Sequence, residues 1–189
     1  MKPTREEAMN LLKEYNESER LIQHALQVEA AMIHFAKFWG EEEDAYSVVG
    51  LCHDLDYEKY PKQHCVMTRK ILEEHHWPSS YIRAIESHGY TVVNEVEPLS
   101  KMEKTLFTVD ELTGLINATC LMRPSKSVLD LKLKSLKKKF KDRKFAAGCN
   151  RDIIKMGCEM LGMDLDQVME ETIKGLQARA EICGLKGNL

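Results

Sequence analysis

The chain has 189 residues, a length suited to one domain of ordinary size. Its 43% hydrophobic and 30% charged residues exclude a disordered or membrane-embedded class, and a formal net charge of -3 argues against a dedicated nucleic-acid binder. No apolar run approaches the roughly 20 residues that span a bilayer, residues 1–7 (MKPTREE) lack the apolar stretch of a signal peptide, and the cysteines at 52, 65, 120, 149, 158 and 183 form no CxxC pair, so a cytoplasmic protein with free thiols is expected.

Apolar residues recur at helical rather than alternating spacing along nearly the whole chain. A short amphipathic helix is predicted over 4–15, with Ala8, Leu11 and Leu12 on one face. Ser18 reads as the N-cap of a long helix that runs to about Trp39 and ends at Gly40; its stripe is Leu21, Ala25, Val28, Ala31/Met32 and Phe35. A third helix covers about 42–53, and a loop follows over 55–61. The fourth helix is placed at about 62–75, and Trp77-Pro78 breaks it. Ser79 can cap a short helix to about Ser87. Residues 89–98 read as loop. Residues 99–121 form a long helix, 125–140 another after the Arg123-Pro124-Ser125 break, and 150–161 and 164–183 the last two, parted by Gly162. The expectation is an all-α domain of eight or nine helices spanning 1–189, with 122–189 as a helical extension.

Several residues of metal-ligand type fall on these helices or at their ends. His24 lies on the buried stripe between Leu21 and Val28, and reads as a hydrogen-bonded core histidine or as a ligand. His53-Asp54 closes the apolar run Val48-Val49-Gly50-Leu51-Cys52. Alone, the pair also suits a helix-end histidine followed by a turn. Asp110 sits among Leu106, Val109 and Thr113, where a carboxylate stays ionised only beside a cation or several donors. Glu111 should point away from that face. His64 and His88 are each readable as ligand or surface histidine, and His34, His75 and His76 as surface or helix-end residues. Imidazoles and carboxylates mixed on helices suit Fe, Mn, Co, Ni or Zn better than Ca or Mg alone.

The ordered set His24, His53-Asp54 and Asp110 resembles the H…HD…D signature of the HD superfamily, and Gly50-Leu51-Cys52-His53-Asp54-Leu55 is similar to its GLLHDI-type segment. Val109-Asp110-Glu111-Leu112-Thr113-Gly114 resembles its AD-containing helix. His64 and His88 resemble the extra histidines of its two-metal members. The likeness covers roughly 18–121. It implies a first divalent transition metal on His24, His53, Asp54 and Asp110, and a second, with Mg admissible there, on His64, His88 and a bridging Asp54. The implied activity is hydrolysis of a small phosphate ester, a nucleotide among the candidates, by a metal-activated water, with His53 and Asp54 at the catalytic centre. A di-iron oxygenase and a non-catalytic nucleotide-binding module are the alternatives, and a homodimer is left open. His88-Gly89-Tyr90 continues as Thr91-Val92, so the GYP motif of the cyclic-dinucleotide phosphodiesterases is absent, which counts against that substrate.

For the substrate side, Lys59 and Lys62 flank Tyr60-Pro61 just after the pair and are candidates to hold a phosphate, with Lys70, Arg123 and Lys126 behind them. Tyr57 is a candidate to stack on a base. The basic run at Lys134, Lys137, Lys138 and Lys141 reads as a solvated helix face.

Overall fold

The computed structural model describes residues 2–189. In chain order the helices are α1 (Arg5–Tyr15), α2 (Glu19–Trp39), α3 (Glu43–Cys52), α4 (Val66–Glu74) and α5 (Ser79–Glu86). After these come α6 (Lys101–Leu121), α7 (Leu133–Lys141), α8 (Arg151–Leu161) and α9 (Leu165–Ala178). Among the described residues there is no strand or sheet, only an isolated bridge between Tyr90 and Asn94. The protein is all-α, and no helix is long and apolar enough to cross a membrane.

The central element is α2, which packs against α3, α6 and α9. Its predicted stripe is buried, but so are Gln27, Glu29 and Ala30 on the other side. A helix covered on several faces cannot keep a polar stripe in water, so its polar groups need partners within the protein. Glu29 finds them: Arg5 donates from Nε and Nη2 to its two oxygens at 2.5 and 2.9 Å, and Ser47 donates from Oγ at 2.6 Å. This fork ties α1, α2 and α3 together. The close approach of α3 to α2 requires glycine at position 50, where a Cβ would stand 2.9 Å from Glu29 Cα. The same approach carries the end of α3, with His53 and Asp54, up to His24.

Several helix ends differ from the sequence expectation. Ser18 stands at the N-cap position of α2 as expected, but its side chain makes no capping bond, and the Glu58 carboxylate accepts the amides of Glu17 and Ser18. Ser79 is the first residue of α5, and Pro78 stands at the cap position. The helix expected over 62–75 is split. Pro61–Gln63 form a 3-10 turn, Cys65 has φ 68°, and α4 starts only at Val66. The cause is Asp56, fully buried, whose carboxylate accepts from His64 Nδ1 at 2.8 Å and from the Thr68 amide at 2.8 Å. Holding both groups prevents residues 64–65 from continuing a regular turn.

The helix expected over 125–140 is confined to Leu133–Lys141. Residues before it are turned by Asp130, which accepts from Ser125 and pairs with Arg123 at 2.7 Å, while the Val128 amide bonds Leu185 O. The last helix ends at Ala178 rather than 183, and the chain then turns through Gly184 at φ 66°. The C-terminal segment is not peripheral. α8 packs on α6, α9 packs on α2, and Ile154, Cys158, Met169 and Leu176 belong to the common core. His34, read as a surface residue, is half-buried and bonds Glu171 on α9 at 2.7 Å.

The loop between α7 and α8 is fastened from within by Arg151. Its guanidinium is buried and donates to the carbonyls of Asp142, Phe145, Ala146 and Cys149.

Substituting Gly50→Ala should separate α2 from α3 and cost about 1–3 kcal/mol, as overpacking of a tight contact does. A lower urea midpoint with an unchanged slope is the expected result, and an unchanged midpoint would show that the contact relaxes freely.

Candidate metal centre

α2, the turn after α3, the residues ahead of α4, the 3-10 turn Ser87–Gly89 and α6 meet around one cleft of about 350 Å³. His24, Asp54, His64, His88 and Asp110 line it, and His53 lies directly beneath, fully buried. The sequence order therefore becomes a spatial cluster. Each member is set by its local structure: His24 by the α2 stripe, His53-Asp54 by the end of α3, Asp110 by the inner edge of α6.

The polar atoms fall into two groups around Asp54. His24 Nε2 and His53 Nε2 are 3.2 Å apart, and Asp110 Oδ1 is 2.9 and 3.4 Å from them. Asp54 Oδ2 completes this group at 3.8 Å from His24 and 3.4 Å from His53. On the other side, His64 Nε2 and His88 Nε2 are 3.1 Å apart, with Asp54 Oδ1 at 3.5 and 3.4 Å. Ligands about 2.0–2.2 Å from one ion stand about 3.0–3.5 Å from each other. The second group has that spacing, the first spans 2.9–3.8 Å around it, and Asp54 gives one oxygen to each.

The ring orientations are fixed from behind. His53 Nδ1 faces Gly50 O at 2.8 Å, His88 Nδ1 faces Ile85 O at 2.5 Å, and His64 Nδ1 faces Asp56 Oδ1 at 2.8 Å. A carbonyl or carboxylate only accepts, so each Nδ1 carries the proton and each neutral ring turns its Nε2 lone pair to the cleft. At His64 and His88 two such lone pairs would face each other at 3.1 Å. That contact is favourable only with a proton or another cation between them.

The electrostatics of the bare cluster follow. Burial alone would lower the His53 pKa, but the Asp54 and Asp110 carboxylates outweigh it and hold the ring protonated well above its ordinary value. For Asp54 and Asp110 burial works toward the neutral acid, yet His53 beside both, with His88 on Asp54 and His24 on Asp110, keeps them far below the usual carboxylate range. His64 is also opposed by burial, but the Asp56 carboxylate, the adjacent Cys65 thiol and Asp54 raise it to about 10. Glu111 is pushed up, first by burial and then by Asp110, against a lowering contribution from the Asn150 amide.

The expected phosphate ligands are not brought to this cleft. Lys59 donates to Glu14 O at 2.7 Å and lies over the Tyr15 ring, because the turn after Asp56 faces α1. Lys62, on the exposed 3-10 turn, and Lys70, on the outer face of α4, do not line it. Arg123 is engaged by Asp130, and Lys126 (φ 49°) stands by Gly187 in the C-terminal turns. Tyr57 does line the cleft, its ring edge-on to His64 at 5.3 Å between centroids. Lys134, Lys137, Lys138 and Lys141 line a separate surface groove.

The cleft also holds residues the sequence reading passed over. Arg20, one turn before His24, lines it, and no acidic partner lies within ion-pair distance among the described residues. Its i, i+4 spacing to His24 was the available signal. Glu111 does not point away: it lines the cleft and accepts the Asn150 amide at 2.8 Å. Val92, Val93 and Cys149 complete the walls. Asp56, fully buried beneath His64, is the partner that orients it.

Comparisons with family models, with curated proteins and with solved structures return no match.

A pH dependence of stability follows for the metal-free protein. His64, raised from 6.5 to about 10, contributes stability that is complete below its ordinary pKa and lost as pH climbs toward the folded value. Asp54 and Asp110, depressed, contribute stability present above the ordinary carboxylate range and lost as pH falls through their folded values. Calorimetry of chelator-treated protein should show the melting temperature falling between about pH 7 and 10, and less so for His64→Gln. Equal slopes for the two proteins would contradict the assignment.

Proposed function

We propose that this chain is a metal-dependent phosphohydrolase of the HD type, acting on a small phosphate ester, with one divalent transition ion on His24, His53, Asp54 and Asp110 and a second on Asp54, His64 and His88. The observation that carries this reading is the Asp54 carboxylate, whose two oxygens each face a separate pair of imidazole Nε2 atoms at 3.4–3.8 Å. The donor set fits Fe, Mn, Co, Ni or Zn, and the protonated Nδ1 atoms give the second-sphere support that metal-binding histidines ordinarily have.

Paired ions of this kind acidify a water nucleophile and neutralise charge on the phosphoryl group. The rest falls to the protein. Asp54 holds the two groups in register. Asp56, Gly50 O and Ile85 O fix the ring tautomers so that no reorganisation is needed when a ligand arrives. Arg20, unpaired and at the rim, is the cation placed to bind a phosphate oxygen from outside the cluster. Tyr57, Val92 and Val93 offer an apolar wall to the organic part of the ester.

Purified protein should bind divalent transition metal and cleave phosphate esters from a broad panel in a metal-dependent way. Asp54→Ala should lose both metal at one or both positions and activity, by about a thousandfold or more, since it removes a group shared by the two sites. Stoichiometric metal with no turnover on any phosphate ester would overturn the enzymatic part.

Arg20→Ala should raise KM about tenfold and leave kcat nearly unchanged, the result of losing a charge-assisted contact made equally in ground and transition states. A fall in kcat with KM preserved would place Arg20 elsewhere in the reaction.

A further inference from the structure

Cys65 adjoins the second histidine pair in an unusual setting. Its side chain is buried, at 2% exposure. Its backbone has φ 68° and ψ -35°, a region that costs a residue with a Cβ on the order of 1 kcal/mol or more. The thiol does not cap α4. It also donates to no carbonyl, whereas Cys52 donates to Ala8 O and Cys183 to Leu26 O, both at 3.6 Å. Instead Sγ lies against Gly89, where a Cβ would stand 2.8 Å from the sulfur. One ligand atom each from His64, Cys65 and His88 falls within 4.8 Å of the others. The backbone thus holds a sulfur that bonds no carbonyl beside two imidazoles whose Nε2 atoms already converge with Asp54 Oδ1.

We infer that Cys65 is a thiolate ligand of the ion held by His64, His88 and Asp54. The inference rests on the metal reading above and deepens it, because it makes the two positions chemically unequal. His24, His53, Asp54 and Asp110 offer only nitrogen and oxygen. The second position adds sulfur, and two nitrogens, one oxygen and one thiolate select zinc, cobalt or ferrous iron over magnesium or manganese. On ligation the S–H bond breaks, a sulfur–metal bond forms and the proton leaves to solvent. Magnesium, admissible there from the resemblance, is then disfavoured.

The test uses the full chain, stripped with chelator and titrated with cobalt(II). The loaded protein should show a near-ultraviolet sulfur-to-cobalt charge-transfer band that Cys65→Ser abolishes. Cys149→Ser, which alters the thiol that lines the cleft wall, should retain it. Zinc affinity at one position should fall in Cys65→Ser by no less than the roughly 10- to 100-fold that loss of an outer-sphere partner costs. X-ray absorption on the zinc-loaded unsubstituted protein reads the same bond without a variant, as a sulfur shell at about 2.3 Å. Cobalt bound without the band, a band that survives in Cys65→Ser, or a zinc shell of nitrogen and oxygen alone would overturn the inference and leave the metal reading standing. Failure to bind any metal would overturn both.

Discussion

Four imidazoles and two carboxylates converge on one cleft, and Asp54 stands between the two histidine pairs. Groups of this kind repel or attract so strongly at 3–4 Å that their positions must be imposed by the surrounding fold. Much of the architecture can be understood as that imposition. Asp56 leaves the solvent to hold His64, at the expense of a regular helix start. Two main-chain carbonyls hold His53 and His88. Gly50 allows α3 to lie against α2 closely enough for His53 to reach His24. The polar cluster and the apolar core are therefore one construction, because the helices that bury Val28, Val49 and Val109 also position His24, the His53-Asp54 pair and Asp110.

The helical class, the number of helices and the inner faces of α1, α2 and α6 were legible in the sequence, because each depends on a local period that a single helix expresses by itself. His24 and Asp110 could be singled out for the same reason, as polar residues on otherwise apolar stripes. His64 was ambiguous because its orientation is decided by a carboxylate eight residues away across an irregular turn, and no period reports such a contact. The lysines went astray for a related cause. A long flexible side chain close in sequence to a site has many destinations, and Lys59 takes a carbonyl and an aromatic ring on α1. Arg20 reaches the cleft because it rides the same helix as His24, a constraint that proximity to His53-Asp54 does not supply.

The walls of the cleft differ in how they are held. On one side the loop ahead of α8 is gathered around the Arg151 guanidinium and joined to α6 through Glu111 and the Asn150 amide. On the other, Gly89 O accepts the amides of Val92, Val93 and Asn94 in one tight turn that leaves both valines exposed. The charged floor is thus framed by a braced polar loop and a compact apolar turn. Under the function proposed above, this asymmetry matches an ester with an anionic end and a less polar remainder.

The burial of α2 has a bearing on how the chain is made. Gln27 bonds Cys183 O, and His34 bonds Glu171, across separations of 156 and 137 residues. Synthesis delivers α2 early, yet the partners of its far side arrive with α9 and the turns beyond it. Until then the helix that carries His24 has an apolar and polar face with nothing to cover it. The histidines and carboxylates of the cleft, all within residues 24–110, precede in the chain the segments that cover the far side of the helix bearing the first of them. Full enclosure of α2 therefore depends on α9 and the turns after it, through contacts that span most of the chain.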